Sequence, residues 1–396
     1  MGCASVPDAQ PPPLDAPRPA ILGDARAFER ETELAPSREV HLPELGVTFR
    51  VPTRAPVERQ QTEQFDAIFF DIGTEVPVAC YVHHERKQLA NFLAYQPVNA
   101  QGLLTEDTEQ VPQVAHVGTG AEAGHAFLTL HWLHPRDGLF GVLKQAAANV
   151  YGYTVYCNHP EPGYEATFER AYRTLLSTFV SQQAVEPYYA EIVSIRIGEQ
   201  PIGVEITEMR RAFDGHSRID FSQALLLPRG PAALVATDSH DISFSSESGD
   251  LMRKRAIQVQ AGVLATNLVL QGVGPGQWRV TGLFKAKNFD QAFEVEDPLR
   301  SPLGVALDMR DVLIRDGSQA ELDYWSWLPD DDPAGPSRVH IEVTGLKDQG
   351  FYTGLQSFGE RRRELVLDSD GSLVSGAIEV GPATLHMERI WVAGAY

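Results

Sequence analysis

The chain has few cysteines, little positive charge and no long hydrophobic run. Its 396 residues include 3 cysteines, too few for a small scaffold held together by disulfides. It contains no stretch of about 18 consecutive apolar residues, so the sequence predicts no membrane-spanning helix. The chain has 33 Lys and Arg residues and 53 Asp and Glu residues, which gives a net charge of -20. That negative charge repels phosphate backbones, and we expect no nucleic-acid partner.

The sequence also lacks the motifs that hold catalytic metals or activate nucleophiles. It contains no HExxH, no paired CxxC, no Gly-x-Ser-x-Gly and no Ser-x-x-Lys. Asp368–Ser372 begins like a calcium loop, but Ala377 stands where that loop requires a glutamate. We therefore expect no metal site, no cofactor and no enzymatic activity.

Composition and length indicate two folded domains behind a tether. Hydrophobic residues make up 43% of the chain and charged residues 22%, a balance typical of globular domains. A chain of this length exceeds one typical core. Residues 1–37 are rich in proline and poor in large apolar side chains, which predicts a disordered tether. We divide the remainder into a domain over residues 38–183 and a domain over residues 184–396.

Residues 38–183 combine strand patterns with one strongly amphipathic helix. The helix is predicted over Tyr164–Phe179 because large apolar side chains recur there at helical spacing. The segment ELGVTFRVP near the start, together with a long helix ending at Thr178-Phe179, resembles the PsbP and Mog1-like group. That resemblance implies a compact α+β domain and carries no catalytic residues with it.

Residues 184–396 show short strand patterns separated by turn signals. Asp214-Gly215 and Asp370-Gly371 are typical tips of tight hairpins. The segment Glu191–Glu205 and the hairpin LVLDSDGSLVSGAIEV resemble LolA/LolB-like half-barrels. The resemblance implies a concave apolar face that holds acyl chains or apolar peptide segments. The predicted fold class is thus α+β: an antiparallel-sheet domain with helices, followed by a mostly-β domain with a half-barrel outline.

An aromatic cluster in the second half is the most suggestive binding feature. Tyr324, Trp325 and Trp327 lie within five residues, and exposed aromatic side chains often anchor ligands. In a strand, Tyr324 would face one side while Trp325 and Trp327 face the other. We take these three residues as candidate ligand-binding residues. The alternative is that both faces are covered and the cluster is part of the core.

Two of the three cysteines lie in strand-like segments of the first domain. Cys80 and Cys157 remain as an even pair when Cys3 is set aside. An oxidising compartment would favour a disulfide between them. Two buried free thiols are the alternative that the sequence leaves open.

The third cysteine indicates where the protein is located. Small residues surround Cys3 in Met1–Ser5, and a proline-rich stretch follows. This pattern resembles the end of a lipobox, which implies a bacterial lipoprotein lacking its signal peptide and anchored to the membrane through Cys3. That interpretation requires a signal peptide upstream of Met1; the alternative is a cytosolic protein that happens to begin Met-Gly-Cys. Myristoylation of Gly2 is disfavoured because Val6 replaces the usual Ser or Thr.

The functional hypothesis combines the anchor with the concave face. We expect a non-enzymatic cell-envelope lipoprotein, on the outer membrane facing the periplasm or exported. It would bind an apolar ligand (a lipid, an acyl chain or a protein segment) or act as a scaffold at the membrane surface. Its partners would be a lipid or an envelope protein. The alternative is a secreted hydrolase whose catalytic residues converge only in the fold.

Overall fold

The computed structural model describes residues 30–99, 113–136, 139–212, 214–230, 233–347, 350–381 and 383–396. Cys3 and most of the predicted tether lie outside the described residues. Three helices occur within the described ranges: α1 (Leu89–Asn99), α2 (Glu165–Ser177) and α3 (Pro302–Asp316). Strands make up most of the rest, so the fold is mostly β and more β-rich than the predicted α+β class.

Ten strands precede residue 182, and we call them, with α1 and α2, the N-terminal unit. They are β1 (Ser37–Leu42), β2 (Val47–Pro52), β3 (Glu58–Gln61), β4 (Phe65–Phe70), β5 (Val78–His83), β6 (Gln113–Glu122), β7 (His125–Arg136), β8 (Leu139–Val150), β9 (Tyr153–His159) and β10 (Val180–Ser181). They form two antiparallel sheets, one in the order β1-β2-β10 and one in the order β3-β4-β5-β9-β8-β7-β6.

The remaining strands, with α3, form the C-terminal unit. They are β11 (Tyr189–Ile197), β12 (Gln200–Arg211), β13 (Ser217–Gly230), β14 (Ala233–Ser245), β15 (Leu251–Gln260), β16 (Val263–Gly274), β17 (Gln277–Phe284), β18 (Lys287–Glu294), β19 (Glu321–Ser326), β20 (Ser337–Leu346), β21 (Tyr352–Phe358), β22 (Arg361–Leu367), β23 (Leu373–Val380) and β24 (Ala383–Gly394). Sheet membership thus changes between residues 181 and 189. The exact domain boundaries stay a prediction.

The C-terminal unit is one antiparallel sheet of 14 strands. Its order is β18-β17-β16-β15-β14-β13-β12-β11-β24-β23-β22-β21-β20-β19. Strands that follow each other in the chain are paired, apart from β18 and β19, and β11 pairs with β24 in addition to β12. The edge strands β18 and β19 are not paired with each other in the described part of the chain, so the sheet does not close into a barrel.

Helix α2 forms because its apolar side chains share one side, as the sequence predicts. Phe168, Tyr172 and Leu175 are buried in a core that also contains Phe49 of β2 and Val155 of β9. The Tyr172 hydroxyl donates to the Val155 carbonyl at 2.9 Å. The helix therefore ties both sheets of the N-terminal unit into one packed core.

Helix α3 covers part of one face of the large sheet. The Ser301 hydroxyl caps its first turn by accepting from the Gly304 amide at 3.1 Å, and Pro302 follows directly. Met309 and Leu313 pack on Leu365 of β22, while Leu303 packs beside Tyr189 of β11. We call the face that α3 covers the inner face.

The opposite, outer face of the large sheet carries the N-terminal unit. Leu89 and Leu93 of α1 share a core with Val204 and Leu226 of β12 and β13. The buried carboxylate of Asp238 in β14 accepts from the amides of the first turn of α1, at 3.0 and 2.8 Å. A carboxylate at a helix N-terminus is favourable, because it satisfies free amides and complements the helix dipole.

The large sheet curls so that the region around β19 overlaps the region around β15–β17. Trp325 lies on the outer face of β19, and Trp327 comes just after this strand. Both belong to one apolar cluster with Leu268 and Val280, which lie on the inner face of β16 and β17. The short segment around Leu299 joins the two layers: the amide of residue 251 donates to the carbonyl of residue 299, and that of residue 300 to the carbonyl of residue 325. We call this overlap the seam.

Candidate ligand-binding site

The predicted aromatic residues lie at or near the seam. Trp327 is fully buried, and its indole nitrogen donates to the Pro333 carbonyl at 3.3 Å. Trp325 is half-buried in the same cluster. Tyr324 lies on the other side of the strand, beside the α3 cluster, as the alternation predicts. Trp327 therefore serves the core, whereas Tyr324 and Trp325 still have accessible surface.

The cysteines at positions 80 and 157 lie directly opposite each other. Cys80 of β5 and Cys157 of β9 are in register, and the structure joins them as a disulfide. Both are buried in the core around α2. Cys3, the predicted lipidation site, lies outside the described residues, so its modification stays a prediction.

The inner face continues well beyond the part that α3 covers. Tyr189 packs beside α3, and Ile197 lies eight residues further along the same strand. At about 3.3 Å per residue, that separation is about 26 Å. Apolar side chains occupy the far half of this face, and we call them the inner apolar layer: Val193, Ile195, Ile197, Ile202, Leu225, Leu227, Ile378, Leu385 and Met387.

Several side chains of the inner apolar layer point inward but are not covered. Leu225, Leu227, Ile378 and Leu385 are half-buried, whereas Ile341, Val343 and Leu365 beside α3 are buried. Val193, Ile195, Ile202 and Met387 form the buried part of the layer. Side chains in a packed core lose nearly all contact with water. The half-buried state therefore shows that this part of the inner face still contacts water past the end of α3.

A belt of polar side chains separates this apolar layer from α3. We call Glu191, Glu205, Gln223, Arg363 and Arg389 the inner polar belt. The Gln223 amide donates to Glu205 at 3.1 Å, and the Tyr189 hydroxyl donates to Glu191 at 2.8 Å. Burial raises the pKa of Glu191, because it penalises the charged carboxylate, and Glu205 nearby adds to that effect.

The two arginines of the belt differ in their partners. Arg389 forms an ion pair with Asp368 at 2.9 Å. Arg363 has one hydrogen bond in the described part of the chain, from its terminal nitrogen to the Met387 sulfur at 3.0 Å. Its Nε is buried and has no acceptor among the described residues. The belt thus contains one guanidinium, that of Arg363, which has no carboxylate of the described residues within ion-pair distance.

Tyr324 belongs to the same part of the inner face as Arg363. Gln356 lies directly opposite Arg363 in the sheet register, and its amide donates to the Tyr324 hydroxyl at 3.2 Å. Burial raises the pKa of Tyr324 to about 12, so the hydroxyl keeps its proton at neutral pH. Sequence reasoning selected Tyr324 but missed Arg363. The sequence did contain a signal for Arg363. It lies two residues before Leu365 and four before Leu367, and strand alternation places all three side chains on the same inward face.

Three clefts among the described residues lie on the outer face or at the seam, and one of them reaches Met387 of the inner apolar layer. One of about 220 Å³ lies between the start of α1 and the outer face, with Leu89 and Ile257 in its wall. A shallow groove of about 770 Å³ follows the outer face beside Leu355. The third, of about 660 Å³, lies at the seam, where Tyr324 and Trp325 line it with six carboxylates. Those carboxylates make the seam cleft unfavourable for an anionic ligand.

The described ranges contain no group of three or more His, Cys, Asp or Glu side chains arranged to hold a metal ion. None of the helices in those ranges is long and apolar enough to cross a membrane.

Comparison with known proteins gives only distant structural likenesses, among them the following three. No family model matches the chain, and no curated protein matches it. A beta-barrel-like protein of a domain of unknown function from Brucella abortus is 10% identical, with a TM-score of 0.41; the match covers 52% of this chain and 96% of that one. The cyanobacterial PsbP (CyanoP) from Synechocystis is 11% identical, with a TM-score of 0.28, covering 38% and 95%.

The third likeness is to a protein of unknown function from Pseudomonas aeruginosa. It is 16% identical, with a TM-score of 0.22, and the match covers 35% of this chain and 95% of that one. One of the three is a PsbP, the group that residues 38–183 resemble in sequence. All three TM-scores are too low to carry an argument about function.

Proposed function

We propose that this chain is a non-enzymatic binding protein of the cell envelope that holds an acyl chain against the inner apolar layer. The observation that carries the proposal is the half-buried state of inward-facing leucines such as Leu225 and Leu385. Apolar surface of this kind gains free energy when an apolar ligand removes it from water. The resemblance of Glu191–Glu205 to half-barrel domains agrees with this use of the face.

The arrangement of the unit favours a chain-like ligand. Helix α3 seals one end of the inner face, and the apolar layer extends away from it along β11, β24 and β23. Val193 and Ile197 alone are four residues, or about 13 Å, apart on one strand. The layer also extends across five neighbouring strands, from β13 to β23, or about 19 Å at about 4.8 Å per strand. An extended acyl chain can follow such a continuous apolar surface over its whole length.

The Cys80–Cys157 disulfide supports a location in the envelope. Disulfides persist in oxidising compartments such as the periplasm and are rare in the cytosol. The lipid anchor at Cys3 remains part of the proposal. Mass spectrometry of the N-terminus from native membranes tests it; a diacylated cysteine is expected, and an unmodified soluble terminus would contradict it.

A pair of leucine variants tests ligand binding. Leu385→Gln places an amide in the inner apolar layer, whereas Leu355→Gln makes the same change on the outer face of the same sheet. Displacement of a fluorescent fatty-acid probe reports the affinity. We expect Leu385→Gln to weaken binding about fivefold, equivalent to about 1 kcal/mol of lost apolar contact. Leu355→Gln should bind like the wild type.

Equal effects of the two variants, or no probe binding by the wild type, would refute the proposed function. The hydrolase alternative has its own readout in the same preparation. Incubation with acyl esters should yield no product above the uncatalysed rate. Turnover that survives further purification would favour the hydrolase.

A further inference from the structure

We infer that Arg363 binds the anionic head, a carboxylate or a phosphate, of an amphiphilic ligand whose apolar tail lies on the inner apolar layer. The inference rests on the proposed function and makes it more specific. It assigns a polar contact to a site that is otherwise defined by apolar surface alone.

The first argument is the unmet hydrogen-bonding capacity of Arg363. A guanidinium has five N–H donors and stays charged at any physiological pH. The hydrogen bond that the structure gives it goes to the Met387 sulfur, which is a weak acceptor. Its Nε is buried without an acceptor among the described residues. A buried donor left in this state is costly, and an anionic ligand would remove that cost.

The second argument is that the other charged groups of the inner polar belt are already satisfied. Arg389 is paired with Asp368, Glu205 accepts from Gln223, and Glu191 accepts from Tyr189. Arg363 forms no ion pair within 4.0 Å in the described ranges, in contrast to Arg389. An anion that reaches the inner face therefore finds one guanidinium that does not have to break an existing ion pair.

The third argument is position. Arg363 lies directly opposite Ile378 in the register, and its side chain reaches Met387; both belong to the inner apolar layer. The Nε lies 3.4 Å from where a Cβ of Gly376 would stand, so the guanidinium rests on a strand that has no side chain there. A head at Arg363 would thus place the tail directly on the apolar layer.

Polar neighbours complete the head site on its other side. Gln356 lies opposite Arg363, and the Tyr324 hydroxyl is bonded to the Gln356 amide. Because this hydroxyl stays protonated at neutral pH, it can donate to an anionic oxygen. Glu191 is the opposing influence, since its charge attracts Arg363 and repels an anion. Burial raises the pKa of Glu191 and so favours its neutral form, which lessens that repulsion.

Ligands that differ only in the head group test this inference. Palmitate and hexadecanol share the same tail, and hexadecyl phosphate provides the second anionic head. Displacement of a neutral fluorescent acyl probe gives each affinity. For the wild type we expect both anions to bind at least about tenfold more tightly than the alcohol, because a charge-assisted bond replaces a neutral one. Acetate and inorganic phosphate alone should displace nothing.

Three arginine variants locate the head. Arg363→Gln should lose the preference for anions while it keeps its affinity for hexadecanol. Arg362→Gln removes the same charge from the outer face of the same strand and should keep the preference. Arg363→Lys should retain part of it, since the charge remains but the planar fork is lost.

The outcomes separate the two proposals. Equal affinity of the wild type for palmitate and hexadecanol would overturn the head site and leave the proposed function intact. Failure of every amphiphile to displace the probe would overturn the proposed function itself. Loss of the anion preference in Arg362→Gln as well would show a general charge effect and would also overturn the assignment to Arg363. If Arg363→Gln does not fold, the affinities of the wild type for palmitate and hexadecanol still test whether an anionic head is preferred.

Discussion

The two units of this protein use a helix on a sheet in opposite ways. In the N-terminal unit, α2 is buried against strands of both sheets, and large residues such as Phe168 and Tyr172 are almost fully enclosed. In the C-terminal unit, α3 covers one end of the inner face and leaves Leu225 and Leu385 half-buried. The comparison indicates that the first unit is built for stability, while the second retains uncovered apolar surface that a ligand can use.

A matched pair of phenylalanines should give the largest contrast between the units. Phe168→Ala leaves a cavity in the closed core and should lower the free energy of unfolding by about 3–5 kcal/mol. Phe221 lies half-buried on the inner face of β13, so Phe221→Ala should cost only about 1 kcal/mol. Urea unfolding measures both values. Similar losses would mean that the inner face is as tightly packed as the first core.

Removal of the disulfide should give the next largest effect, again in the closed unit. Cys80 and Cys157 are 77 residues apart, so their link shortens a long loop of the unfolded chain. The double variant with both cysteines changed to alanine should lose about 2–4 kcal/mol of stability. Reductant should lower the wild-type Tm toward that of the variant and leave the variant unchanged. Labelling of Cys80 and Cys157, and not of Cys3 alone, when the wild type is denatured without reductant would show free thiols instead.

The smallest expected effect concerns the open unit and its dependence on pH. The pKa of Glu191 is raised by burial from its ordinary value of 4.5, so the folded protein holds this proton more tightly than the unfolded chain. The stabilisation is complete below the ordinary pKa and is lost as the pH rises through the raised value. Tyr189, Glu205, Arg363 and Arg389 are the charged or titratable groups around it.

The variant Glu191→Gln should therefore flatten the fall in Tm as the pH rises above about 4.5. Thermal unfolding at a series of pH values measures it. Glu364→Gln, on the outer face of the same sheet, is the matched control and should keep the wild-type profile. If Glu191→Gln shows the same dependence of Tm on pH as the wild type, the Glu191 carboxylate is well hydrated. The inner polar belt is then more exposed to water than we infer.

Local patterns predicted the individual elements well. The spacing of Phe168, Tyr172 and Leu175 predicted α2, and Asp370-Gly371 marks the turn between β22 and β23, where Gly371 has a positive φ of 77°. The alternation in residues 324–327 separated Tyr324 from the two tryptophans. These features depend on near neighbours in the chain, and a single segment contains all the information about them.

Long-range features could not be predicted in the same way. The sequence left open whether Cys80 and Cys157 pair, and the register of β5 with β9 places them opposite each other. The fold class was predicted with too much helix, because the lengths of the strands depend on their partners in the sheet. The role of Trp327 was also open, since only the rolling of the sheet at the seam encloses it.

The sequence by itself determined the negative charge, the helix α2 and the face on which each strand residue lies, because these follow from composition and from local periodicity. Only the tertiary structure decided which of those faces stays uncovered. It brings Arg363, Gln356 and Tyr324 from three strands to one place, and it leaves the neighbouring apolar layer open to water. The physical reason is that burial and charge pairing depend on how the sheet curls and where α3 ends, and no single segment contains that information.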